Sequence, residues 1–212
     1  MTTSKGILRR SFLGDAWISL IGLLSGSATV KAAATSAPAT SSVPPTSSSP
    51  IYLLEFSAFQ NKTPDQNMQE IMDREEIREL LGRYAHQTAR GMNVSTLYTE
   101  DGAFIVRIPG RPAQEIRGRE ALSKTYGTMA TMENPPKPQI HNSLLVISGD
   151  EATGICSNEV RVVENGQSII GSGYYEDRFR RVNGRWKFVV RSATFFHWVP
   201  IQQGWANSNH PV

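Results

Sequence analysis

The chain has 212 residues, with 22 Lys+Arg against 19 Asp+Glu for a formal charge of +3, 39% hydrophobic residues and a single cysteine. That length leaves room for one domain and a spare segment. Lys5, Arg9, Arg10 and Lys31 lie ahead of Thr35 with Asp15 the only acid, so the remainder is neutral with 18 charges of each sign; a lone Cys156, no zinc-spaced Cys/His cluster and no basic run exclude disulfide scaffolds, structural zinc sites and phosphate-neutralising nucleic-acid binders.

In chain order, Leu8-Arg9-Arg10-Ser11-Phe12-Leu13 precedes an apolar stretch from Ala16 to Val30 and the small-residue exit Lys31-Ala32-Ala33-Ala34. A basic start, a short apolar middle and an A-x-A exit make an export signal over residues 1–34. The paired arginines give it twin-arginine character. About 15 apolar residues fall short of the roughly 20 of a spanning helix, so the expectation is cleavage, no membrane association afterwards, and a bacterial periplasmic or secreted destination. Residues 35–62 follow as a linker rich in Ser, Thr, Pro and Ala, too poor in apolar surface to offset its ordering entropy. Within it, Ile51 to Phe59 is apolar enough to pack against something.

The folded domain is expected over 63–207, with a tail at 208–212. Thr63-Pro64-Asp65-Gln66 carries a cap, a proline at the first helical position and a glutamine three residues after the cap. Ile77, Leu80, Leu81, Tyr84, Ala85 and Thr88 recur at helical spacing up to Arg90-Gly91. A short second helix is expected around Val94 to Tyr98, a strand from Ala103 to Ile108, and a third helix from Gly118 to about Met132, stopped by Pro135-Pro136-Lys137-Pro138. Four long strand-like runs then occupy 139–148, 151–164, 167–182 and 185–196. Asn165-Gly166 and Asn183-Gly184 mark tight hairpins between them. The fold class is therefore α+β, a cone-shaped, strongly curved antiparallel sheet with three N-terminal helices packed on it. Gly171 and Gly173 are the points at which one strand bends.

From about Arg74 to Trp205 the chain resembles the SnoaL-like branch of the nuclear transport factor two-like superfamily. The resemblance is carried by Asp73-Arg74-Glu75-Glu76-Ile77, Leu80-Leu81, Tyr84-Ala85-His86, Leu97 to Gly102, Ile116 to Ala121, Ile140-His141-Asn142, Tyr174 to Asp177 and Gly184 to Phe188. The stretch from Ile140 to Trp198 is most similar to hexachlorocyclohexane dehydrochlorinase, with bile-acid and scytalone dehydratases more distant. The resemblance implies cofactor-free, metal-free removal of HX or water from a small apolar ring. It places a general base on His141, with Tyr84 and Arg191 orienting substrate or stabilising the leaving group, and it implies assembly as a homodimer or homotrimer. The aspartate that holds the base in this family falls on Ala89, which cannot anchor the imidazole tautomer.

Weighed residue by residue, strand alternation sets His141 with Ser143, Leu145 and Ile147, where it is equally read as a hydrogen-bonded core histidine. Tyr84 lies on the apolar stripe, where it serves as a core aromatic or as a pocket hydroxyl. Arg191 shares a face with Lys187 and Val189, which reads as a solvated charge unless the family position holds. His86 stands roughly 200° round the helix from Tyr84 and belongs to the surface or an interface. Of Glu176 and Asp177 one faces inward, and that carboxylate is the better substitute for the missing aspartate. Cys156 reads as inert packing. Two functions follow: a cofactor-independent lyase or isomerase of the dehydratase or dehydrohalogenase type on a small apolar cyclic substrate, or an exported non-catalytic binding protein for a small hydrophobic ligand. A purely structural subunit is disfavoured by the export signal.

Overall fold

A computed structural model describes residues 62–204, so the expected signal, nearly all of the linker and the tail lie outside the described residues. Helix α1 (Pro64–Ala89) begins where the capping pattern placed it. Thr63 Oγ1 accepts from the Gln66 amide at 3.3 Å, and the Gln66 side chain accepts from the Thr63 amide at 2.9 Å. It ends at Arg90, followed by Gly91 at φ +67°. A single 3₁₀ turn (Ser95–Leu97) leads to strands β1 (Tyr98–Arg107) and β2 (Gln114–Arg117), then helix α2 (Arg119–Ala130). Strands β3 (Lys137–Ser148), β4 (Glu151–Glu164), β5 (Gln167–Val182) and β6 (Arg185–Pro200) form the meander that the Asn-Gly turns announced. Among the described residues no helix is long and apolar enough to cross a membrane.

Two expectations need correction. The segment around Val94 to Tyr98 is one 3₁₀ turn and not an α-helix, so among the described residues two α-helices pack on the sheet. The reason is visible at Gly102: the backbone folds so tightly there that a Cβ would lie 2.9 Å from the Tyr98 Cβ and 3.0 Å from the Thr99 carbonyl. The chain is thus already extended at Tyr98, five residues before the expected strand. The sheet is also not purely antiparallel. Its order is β2-β1-β6-β5-β4-β3, and β1 runs parallel to β6. The result is a six-stranded, curved, unclosed sheet with both helices against its inner face.

The core lies between that face and the helices. Ile77, Leu81 and Tyr84 of α1 and Leu122 and Tyr126 of α2 are buried against Phe179 and Phe188. Each such apolar side chain contributes about 1.5–3 kcal/mol by leaving water. Polar clamps fix the orientation of α1. Asp73 accepts from Arg181 at 2.7 Å and from the Trp186 indole at 3.3 Å, while Arg74 donates to the Leu145 carbonyl at 2.8 Å.

Besides the irregularity between Tyr98 and Ala103 on β1, three bulges bend the sheet. One falls between Ser172 and Gly173, where a Cβ on Gly173 would sit 1.9 Å from the Thr194 carbonyl, so the expected role of this glycine is met by a close approach of two backbones. A second lies on β3: His141 pairs with Ser157 and Leu144 with Ile155, giving β3 one extra residue, with Asn142 at φ +41°. The third lies on β6, where Val190 pairs with Arg178 and Phe188 with Phe179, leaving Val189 as the extra residue.

Candidate functional site

Each bulge reverses which residues point inward, and two of them decide the site. On β3 the inward side passes from Ile140 to Leu145, which is 2% exposed. His141 therefore does not share the face of Leu145 as alternation implied. On β6 the inward side passes from Phe188 to Arg191, so Arg191 leaves the face of Lys187 and is fully buried. The solvated reading of Arg191 is corrected accordingly.

Arg191 lies across from Asp177 in register, with Nη1 3.5 Å from the Asp177 Oδ2 and both side chains removed from water. Its guanidinium carbon sits 3.6 Å from the ring centre of Tyr175, 4.2 Å from that of Tyr84 and 4.8 Å from that of Phe188. Three π faces thus surround a cation that makes no hydrogen bond. Burial pushes the Asp177 carboxyl up, to about 7, against the pull of Arg191. Burial opposes the charge on Arg191, but Asp177 and its neighbours more than offset it, so the guanidinium stays charged. Cys156 stands on the inner face of β4 beside this pair. A basic group is therefore near it after all, yet burial still drives its thiol up to about 12 and keeps it unreactive.

Tyr84 and Tyr175, whose rings face Arg191, also line a cavity of about 40 Å³, together with Thr88, Phe104, Tyr126, Val160 and Trp198, among others. The Tyr98 and Tyr126 hydroxyls are 2.8 Å apart, and Tyr126 donates to Tyr84 at 3.4 Å. Burial holds Tyr98, Tyr126 and Tyr175 well above the usual phenol range, so all three remain neutral donors. At the rim, Arg111 grips the buried Glu164 through both carboxylate oxygens at 2.7 and 2.8 Å, and Glu164 accepts from the Trp198 indole at 3.1 Å. Hydrogen bonding to Arg111 holds the Glu164 carboxyl below its usual range.

Of the residues picked from sequence, Tyr84 and Arg191 are thus in contact, and Asp177 is the inward carboxylate. His141 is elsewhere. It is exposed, in a groove of about 310 Å³ between α1 and β3, beside His86 and Ala89. The position expected to support His141 is indeed its neighbour, but that position is alanine, and among the described residues no carboxylate lines the groove. His86 is exposed, away from the Tyr84 face, as its helical phase required. Sequence reasoning missed Asn158, Arg111 and Glu164. Glu164 precedes Asn165-Gly166 and reads as turn chemistry, and Asn158 lies in a strand with nothing local to single it out. Among the described residues no cluster of three or more His, Cys, Asp or Glu could hold a metal ion.

The profile of the SnoaL-like domain matches residues 69–192. No curated protein matches the chain. Among solved structures it is similar to a single-residue variant of Rv3472, a protein of unknown function from Mycobacterium tuberculosis, at 26% identity over 63% of this chain and 75% of that one, with a TM-score of 0.52. An NTF2-like protein with a cystatin-like fold from Novosphingobium aromaticivorans also has 26% identity, over 62% of this chain and 86% of that one, with a TM-score of 0.50. A hexachlorocyclohexane dehydrochlorinase (LinA, type 2) shares the fold at 19% identity over 64% of this chain and 93% of that one, with a TM-score of 0.54.

Proposed function

The chain belongs to the SnoaL-like domain family, and from that premise we propose that it is a cofactor-independent lyase or isomerase of the dehydratase or dehydrohalogenase type, acting on a small apolar cyclic substrate in its interior. One observation carries the reading: a fully buried arginine opposed by a buried carboxylate and packed against Tyr84 and Tyr175, two of the rings that line an aromatic cavity. A pair held this way costs desolvation that an apolar pair of the same shape would not, which marks it as functional. Tyr84 contacts the substrate, and Arg191 stabilises the negative charge that develops as the leaving group departs with its electron pair. His141 is exposed and unsupported, so the proton released from the adjacent ring carbon goes to Asp177, whose carboxyl burial pushes up to about 7. The C–H electron pair becomes the new double bond. Met129 and Trp198, which line the cavity, are the side chains that yield to admit a ring.

The test is turnover by the full chain, followed by mass spectrometry of a panel of hydroxylated and chlorinated cyclohexanes. Asp177→Asn is expected to lower the rate by about 10²- to 10⁴-fold, and His141→Ala to leave it within about twofold. Loss of turnover in the His141 variant, with full activity in the Asp177 variant, overturns the assignment.

A second reading, a non-catalytic exported carrier of a small hydrophobic ligand, is favoured by Ala89 standing where the supporting carboxylate would be. A ligand recovered intact from the purified protein, together with no turnover of the panel, would establish it. In both readings the proposed site of action is the periplasm or exterior, reached through residues 1–34. The proposed assembly is a homodimer or homotrimer through the outer sheet face, where Leu144, Val146 and Phe196 are exposed. Sedimentation of the full chain tests that assembly.

A further inference from the structure

Helix α1 has two apolar sides, and the sheet covers only one of them. Ile77, Leu81 and Tyr84 face the core, whereas Met68, Ile71 and Met72 are 59%, 49% and 58% exposed. At 3.6 residues per turn these three fall within about 100° of one another, on the side away from the core. The apolar strip is short. Glu75 and Glu79 continue it toward the C-terminus, and both are solvated partners of Arg78 and Arg83. Unpartnered apolar surface is thus confined to the N-terminal part of α1, next to the point where the chain enters it.

The chain that enters there is itself apolar. Residues 51–59, which lie outside the described residues, include Ile51, Tyr52, Leu53, Leu54, Phe56, Ala58 and Phe59. Only Gln60, Asn61 and Lys62 separate Phe59 from Thr63, the cap of α1. Lys62 is ion-paired with Glu70 in the second turn, which holds the chain ahead of the cap close to the helix. Four Cα steps span at most roughly 13 Å, and Met68 and Met72 stand about 8 and 14 Å along the helix axis from Thr63. Phe59 therefore reaches Met68, and the rest of the segment is long enough to run on past Met72.

We propose that residues 51–59 dock on the Met68, Ile71 and Met72 face of α1, so that the helix is covered on both sides and the free tether is residues 35–50. Two considerations select this occupant over a second copy of the chain. Three side chains fall well short of the roughly 800 Å² per partner that a stable interface buries. A segment joined through three residues also acts at an effective concentration on the order of millimolar, which compensates for a small contact.

The test is crosslinking in the full chain. Cys156 is buried and its thiol is driven up to about 12, so introduced cysteines react without it. Phe56→Cys with Met72→Cys, oxidised by diamide, is expected to form a disulfide within one chain, read by mass spectrometry as two linked tryptic peptides in the monomer band. Phe56→Cys with Lys124→Cys, which is exposed on α2, is expected not to. Ile71→Ser, a change that a solvent-facing position tolerates, is expected to lower Tm by about 3 °C or more, Phe56→Ser by a similar amount, and the two together by little more than the larger. A disulfide found only in the dimer band gives the face to a second copy and overturns the proposal. Equal yields from the two cysteine pairs, or a Tm that neither serine substitution moves, overturn it as well.

Discussion

The Arg191–Asp177 pair allows the functional argument to be tested through stability alone. Replacing Arg191 by Met keeps most of the side-chain volume but leaves Asp177, 2% exposed, without its cation. Removing one member of a buried ion pair costs about 3–5 kcal/mol. Here the cost falls at the lower end, about 3 kcal/mol, because burial already inclines the Asp177 carboxyl to keep its proton up to about pH 7. For a domain of this size each kcal/mol moves Tm by roughly 2–4 °C, so Arg191→Met should melt about 6–12 °C lower. Adding Asp177→Leu removes the stranded carboxyl, and the double variant should return to within about 1 kcal/mol of the wild type or exceed it. Thermal and urea unfolding of the full chain, followed by circular dichroism at pH 7, measure all three. A double variant no more stable than Arg191→Met would show that the pair imposes no cost. The inference from an expensive buried pair to a functional one would then fail.

Further outcomes are expected. Because the folded Asp177 carboxyl lies above its unfolded value, the unfolded chain releases that proton first, so its contribution to stability falls as pH rises from about 4 to about 7 and then levels. The difference in urea stability between wild type and Asp177→Asn should follow that course, and a difference that grows over the same window would refute it. Gly173→Ala should destabilise by about 3 kcal/mol or more, since its Cβ meets the Thr194 backbone at 1.9 Å; Gly171→Ala, whose Cβ meets the edge of the Trp198 ring at 2.7 Å, should cost nearer 1 kcal/mol as that ring moves. Gly82→Ala, on α1 with nothing within 4 Å of the new Cβ, should stabilise by roughly 0.5–1 kcal/mol in the same melts. Arg111→Met should cost about 1–2 kcal/mol, discounted because Arg111 is partly solvated, and should alter Trp198 fluorescence as Glu164 loses the partner that fixes it against the indole.

What is readable in advance is what local chemistry decides. The capping box at Thr63, the stripe from Ile77 to Thr88 and the two Asn-Gly turns each depend on residues within one turn of each other, and all appear where their spacing puts them. The position of His86 away from Tyr84 follows from helical phase alone. By contrast, the parallel pairing of β1 with β6 joins segments about 87 residues apart, and strand β2 has only four residues; neither leaves a periodicity that a single chain displays. The 3₁₀ turn at Ser95–Leu97 escapes prediction because a short apolar run at helical spacing fits a helix until the backbone must pass Gly102.

The site is harder to read for one physical reason. Strand alternation assumes a period of two, and a bulge breaks that period without any residue that announces it. The extra residue on β3 turns His141 out of the interior, and the extra residue on β6 turns Arg191 into it, so the two residues placed by resemblance exchange the environments that alternation assigned them. Seen this way, Ala89 is no longer a loss to be compensated. A buried imidazole needs a carboxylate to hold its tautomer and to balance its charge, but one in solvent finds both in water, and His141 is in solvent. The missing aspartate and the displaced histidine are then one fact, and under the proposed function the chemistry of the interior falls to Asp177, the carboxylate that β5 carries to the side of Arg191.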